Sequence, residues 1–195
     1  MKTFRNAARL AATFLSMALP LQAALAAPVT YTLDPSHTQV WWETRHFGTS
    51  TQRGRFDSVV GSIVLDRDTG RGDVSISIAT GSVSSGVPTL DGMLRGRNFL
   101  SADTWPTAYF VASSVRFDGG RIAALRGEFT LRGVSRPLEL RSERFGCRQE
   151  PQLQREVCGG DFEGEILRSE FGSTFGLPFV GDKVRLRIAV EGVRQ

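Results

Sequence analysis

Both histidines of the chain fall in one short stretch, HTQVWWETRH (37–46), with an adjacent tryptophan pair between them. Two imidazoles so close together suggest a metal site or a catalytic base, whereas two tryptophans suggest an apolar wall. Asp34 and Ser36 stand just upstream of His37 and complete the residue types of a hydrolytic triad. The element that carries these residues decides between the readings. On an unbroken strand Val40, Trp42, Thr44 and His46 share one face, and His37, Gln39, Trp41 and Glu43 share the other. The two histidines then point to opposite sides and cannot chelate one ion. The chain offers no third histidine and neither cysteine is near, so no metal ligand set is expected. Triads are assembled from distant segments, while Asp34-Pro35-Ser36-His37 has the composition of a turn whose side chains cap backbone groups. With no G-x-S-x-G elbow, Walker loop or dinucleotide fingerprint, no catalytic residue and no cofactor is expected. Gln39 and Glu43 mark the polar face, so Trp42 is expected to point inward.

Alternation dominates the rest of the chain. KVRLRIAV (183–190) puts Val184, Leu186, Ile188 and Val190 on one face and Lys183, Arg185 and Arg187 on the other, the pattern of a strand with one wet side. VSISI (74–78), LRGEFTL (125–131) and PLEL (137–140) repeat it, and 30–33, 38–45, 59–65 and 161–168 are further strand candidates. Asp118-Gly119-Gly120 between two such runs is a hairpin signal. The exception is 87–106, where Leu90, Met93 and Leu94 have helical spacing and predict a short amphipathic helix near 88–96, with Pro106 restarting the extended chain. About eight or nine strands around a single helical insert predict an all-β fold: a closed antiparallel barrel with a plug or lid, which leaves no exposed sheet edge. An eight-stranded barrel is filled by its side chains or holds one slim ligand.

The first residues read as a secretory signal peptide: Lys2, Arg5 and Arg9, then an apolar run ending in Ala24-Leu25-Ala26, with cleavage expected after Ala26. That leaves one domain, 27–195, in the periplasm. Of 24 Lys+Arg and 20 Asp+Glu, three cations lie in the leader, so the remainder has 24 − 3 = 21 cations against 20 anions. A near-neutral domain is not the footprint of a nucleic-acid binder. Cys147 and Cys158, an even count in an exported chain, are expected to form a disulfide.

Several motifs together resemble the YceI-like family of periplasmic, lipocalin-like barrels that bind polyisoprenoids. They are YTLDPSHTQVWWETRH (31–46), GRF (54–56), LDGMLRGRNFLSADTWPTAYF (90–110), GVSRP (133–137) and RSEFG (168–172). The resemblance implies a lumen holding the tail of an isoprenoid lipid or isoprenoid quinone, with the head near the mouth. Carried onto matching positions, it implies Trp42, Thr44, His46, Phe56, Phe99, Phe110 and Phe171 as ligand-facing or lid residues, and Arg168 as a polar group near the head or the anchor of a turn. Met93-Leu94 stands where the family usually has histidine-leucine, and the cysteine-bearing stretch is not general to the family. The implied partners are the lipid, a membrane or membrane redox protein met transiently, and a second copy in a homodimer. Two other functions compete: an exported enzyme using His37 or His46 at the barrel mouth, and a stress-related interaction protein whose lumen is filled by its own side chains.

Overall fold

The computed structural model of the protein describes residues 27–66 and 69–195, so the expected leader lies outside the described residues. The strands are β1 (Val29–Leu33), β2 (Gln39–His46), β3 (Ser50–Phe56), β4 (Val59–Asp66), β5 (Arg71–Ala79), β6 (Val83–Ser84), β7 (Thr107–Asp118), β8 (Arg121–Leu131), β9 (Val134–Glu150), β10 (Arg155–Leu167) and β11 (Val180–Arg194); the helix α1 spans Pro88–Arg95.

Pairing runs β1-β4-β5-β7-β8-β9-β10-β11, and β11 returns to β1 (Tyr31 opposite Arg194), closing an antiparallel ring of eight strands. The remaining strands are continuations of ring members. β2 follows β1 along the same edge of β11 (Trp42 opposite Leu186), β3 pairs with β2 as β4 does with β1, and β6 pairs with β3 as β5 does with β4. Three long strands are thus each broken by a bend, which reconciles the strand count with the sequence expectation. β6 pairs with β3 alone, whereas β5 pairs with β7. The sheet is therefore zipped at one end of the barrel and parted between β6 and β7 at the other, where α1 and the loop after it lie.

Alternation places the core. Val74, Ile76 and Ile78 of β5, Ala108, Phe110 and Ala112 of β7, and Leu186, Ile188 and Val190 of β11 are buried inside the barrel; complete burial of a branched or aromatic side chain stabilises by roughly 1.5–3 kcal/mol. The β7–β8 turn uses Gly119 and Gly120 at φ +54° and +77°, the left-handed pair that a tight two-residue hairpin needs. Outward-facing residues of β8, β9, β10 and β11 form ion pairs along and across the ladder, among them Arg126 and Arg141 with Glu139, Lys183 with Glu165, and Arg144 with Asp161.

One segment differs from the sequence reading. STQRGRF (50–56) forms β3 although it does not alternate in hydropathy, because the backbone of β2 and its fit against Trp42 hold it. The stretch between the cysteines is a hairpin: β9 and β10 extend on either side of residues 151–154, and the Cys147–Cys158 disulfide joins directly opposed positions. Cys158 stands opposite Gly192 of β11, while the cavity described below reaches Leu186, six residues and roughly 20 Å along the strand. The disulfide thus lies towards the zipped end, where the Tyr31 hydroxyl also donates to Glu156 at 2.5 Å.

Candidate ligand cavity

The parted end of the barrel contains a cavity of about 370 Å³, within the range of small-molecule sites. Its walls are inward positions of successive strands: Val40 and Trp42 of β2, Phe56 of β3, Ile78 of β5, Phe129 and Leu131 of β8, and Val184 and Leu186 of β11. Ala108 is its small residue on β7; one inward step further along the strand, Phe110, opposite Ile76 and Phe129, is 3% exposed and lies outside the lining. Over the top lie Leu90, Met93 and Leu94 of α1, Phe99 from the following loop and Phe175 from the loop before β11.

The helix forms where it does for local reasons. Pro88 sits in the first turn, where a missing N–H costs nothing. Asp91 accepts hydrogen bonds from the backbone N–H and the hydroxyl of Ser85, both at 2.6 Å, which fastens the helix start to the end of β6 and holds the carboxyl below its ordinary pKa. Arg95 occupies the last turn and suits the helix dipole. No residue of α1 is fully buried, so the helix covers the cavity without joining the core.

Gly54 explains the GRF motif. A Cβ at this position would collide with the indole of Trp42 and with the carbonyl of Ser84, so only glycine lets the tryptophan lie flat against β3. Trp42 is 8% exposed, and among the described residues its buried indole N–H has no hydrogen-bond partner.

RSEFG anchors the cavity rim. Arg168 is buried and its guanidinium donates to the carbonyls of Gly181, Ser173 and Val180 at 2.9, 2.7 and 2.8 Å. Ser169 donates its N–H and hydroxyl to Asp182 at 2.8 and 2.7 Å, and Gly172 adopts φ +74° to end the short helical turn. The register of β11 against β2 slips between Val180 and Val184, and these contacts clamp the resulting bulge. Burial pushes the Arg168 pKa down, opposed by the nearby charge of Asp182. Arg168 lines the cavity but anchors its rim. Thr44 does the same: its hydroxyl reaches the carbonyls of Gly181 and Lys183, each at 3.1 Å.

The structure brings six of the eight expected ligand residues to one cavity: Trp42, Thr44, His46, Phe56, Phe99 and Arg168. Phe110 and Phe171 are not among its lining residues. Phe110 is buried on the same face of β7 as Ala108, and Phe171, 1% exposed, packs edge-on against Phe129 with ring centres 5.7 Å apart. The sequence reading passed over Gln52, Val180 and Phe175. Gln52 lies on a strand without apolar alternation, and Phe175 sits in an irregular loop, so periodicity marked neither.

The histidines occupy unlike places. His46 is at the cavity rim, its ring edge-on to Phe47 at 4.7 Å. His37 lies outside the barrel in the bend between β1 and β2, with Nδ1 2.7 Å from Asp34, whose carboxylate also accepts from the Ser36 N–H at 2.9 Å and hydroxyl at 2.6 Å. Hydrogen bonds from Ser36 and His37 lower the Asp34 pKa to about 2, and the bond to Asp34 raises that of His37. This cluster closes a turn on the outer surface, away from the cavity.

The family model of the YceI-like domain matches residues 31–192. The chain belongs to the YceI-like family. It is 30% identical over 184 residues to protein YceI of Salmonella agona, covering 94% of this chain and 95% of that protein. Among solved structures, BcnA of Burkholderia cenocepacia superposes with a TM-score of 0.66 at 19% identity, over 82% of this chain and 98% of that one. A polyisoprenoid binding domain from Saccharophagus degradans, implicated in plant cell wall breakdown, gives 0.63 at 14% identity, over 85% and 98%. At such identities the likeness is one of fold, and it places this YceI-like chain among closed antiparallel barrels.

Proposed function

We propose that the protein is a periplasmic carrier or store for a long-chain isoprenoid lipid, such as a quinone or polyprenyl compound, held by its tail in the barrel. The observation that carries this reading is the cavity at the parted end, walled by aliphatic and aromatic side chains and roofed by α1. Solvent-filled apolar space of this kind is unfavourable unless something apolar occupies it, and each isoprene unit moved out of water contributes about 4 kcal/mol at ~0.8 kcal/mol per buried carbon. The polyisoprenoid binding of the Saccharophagus domain, a barrel of the same fold, supports the choice of ligand. Thr44 and Arg168 spend their hydrogen bonds on the rim, so His46 and Gln52 are the lining groups that meet a polar head. The residue types that read as a leader support export to the periplasm.

Lipid extraction and mass spectrometry of protein purified from a bacterial host test the proposal. Native protein is expected to release an isoprenoid in near-stoichiometric amount. Ala108→Phe, which fills the lumen from β7, is expected to release little while remaining folded. Lipid-free native protein that also fails to take up added isoprenoid quinone would sink the reading.

A further inference from the structure

The mouth of the cavity is surrounded by aromatic side chains that the barrel does not bury. Phe47, Phe175 and Phe179 are 59%, 52% and 62% exposed, and Met93 of the covering helix is exposed beside them. They form one continuous surface with the cavity. Phe175 and Met93 line it; His46, also in its lining, packs edge-on against Phe47, and Phe47 stacks on Phe179 with ring centres 5.7 Å apart and planes 24° from parallel. The position of Phe47 is enforced by the backbone. It holds φ +50°, a conformation that L residues adopt at a cost, and its N–H donates to the Phe179 carbonyl at 2.6 Å. A large apolar side chain is thus fixed outward at a hairpin tip, where Asn or Gly would be the easy choice.

The charges at this end complement an anionic surface. Arg45, beside His46 on the outer face of β2, and Arg97, between α1 and Phe99, are exposed and form no ion pair among the described residues. Of the acidic side chains at this end, Asp91 and Asp182 are engaged as acceptors for Ser85 and Ser169, while Asp103 and Glu170 are exposed. Along the ladder of β9, β10 and β11 Arg141, Arg144, Arg148, Arg185 and Arg187 are paired with carboxylates, while Arg136, Arg155 and Arg194 form no ion pair among the described residues, so Arg45 and Arg97 are distinguished by standing beside the exposed rings of the mouth.

The geometry points to a membrane-docking face: Phe47, Phe175 and Phe179 enter the interfacial region of an anionic phospholipid bilayer while Arg45 and Arg97 meet its headgroups. Aromatic rings with an apolar body suit that depth, and arginines beside them add an attraction that salt screens. Docked in this way, the protein presents its cavity mouth to the bilayer, and a tail can pass between membrane and lumen without crossing water. The use of the face rests on the lumen being a lipid site; its existence rests on the rim alone.

Vesicle co-sedimentation of the whole protein, with mass spectrometry of lipid content on the same preparations, tests the two separately. Native protein is expected to bind vesicles of equal parts phosphatidylglycerol and phosphatidylcholine, and to bind pure phosphatidylcholine more weakly. The pair Phe47→Asn and Phe179→Ser, neither of which lines the cavity, is expected to weaken binding at least about tenfold with lipid content unchanged; asparagine tolerates the backbone conformation of Phe47. Arg45→Gln and Arg97→Gln are each expected to weaken binding to the anionic vesicles about fivefold and to flatten its salt dependence. Native protein that ignores anionic vesicles, or an aromatic pair variant that binds them as tightly as native protein, would overturn the docking face; the first outcome would point to a membrane protein as the receptor. Lipid-free protein that still binds vesicles through these residues would overturn the lumen reading and uphold the face.

Discussion

The two ends of the barrel are built from the same alternating strands and come to opposite results. At the zipped end Tyr31, Leu33, Leu65 and Val74 fill the interior and the Cys147–Cys158 bond ties β9 to β10. At the parted end inward positions of β2, β8 and β11 are as apolar, yet they surround a cavity. Hydrophobicity is therefore not what separates core from site. The difference lies in the parting of β6 from β7, which sets a helix and loops where a strand would have brought packed side chains.

Phe110→Ala attacks that contrast directly and should have the largest effect. Removing this buried ring is expected to cost about 3–5 kcal/mol, read by chemical denaturation. Where the variant folds, the lumen deepens and the extracted lipid shifts to longer tails. An unchanged lipid profile in folded protein would mean that this ring does not limit the lumen.

Replacing both cysteines by serine probes the zipped end. Its sequence separation of 11 closes a short loop, and the loss is expected to be about 3 kcal/mol on the chain-entropy account. Because the bond lies well beyond the cavity, lipid content should not change. A variant that loses its lipid at native-like stability would show that the two ends are coupled.

The smallest effect belongs to the bend that joins them. Asp34, held at about 2, contributes stability that is present above the usual carboxylate range near 4 and is lost as pH falls towards 2. His37, with its pKa raised, contributes stability fully present below about 6.5 and lost as pH rises through its folded value. The melting-temperature gap between native protein and Asp34→Asn should be widest between roughly pH 4 and 6.5 and shrink on both sides. A gap independent of pH would assign the turn to backbone conformation instead.

The barrel, α1 and the disulfide were legible in the sequence because period-two alternation, helical spacing and paired cysteines are local signals. Trp42 could be assigned inward from its neighbours Gln39 and Glu43. The division of inward residues between packed core and cavity wall was not legible: Phe110 and Ala108 share one face of one strand, and which of them lines the cavity depends on strands far away in sequence. Arg168 was ambiguous for a related reason. Its type suits a head group, but its three carbonyl partners lie in a bulge that exists only once β11 slips against β2. β3 escaped notice because its strand character comes from partners, with Gly54 chosen to fit Trp42 and not to alternate.

The ring of eight strands is complete without residues 85–106, since no rung of the closing ladder depends on them. Roof and vessel are therefore separable parts. Exchanging this segment would change what the mouth admits while leaving the pairing that folds the barrel intact, which gives related chains a route to new ligands by altering one short connection.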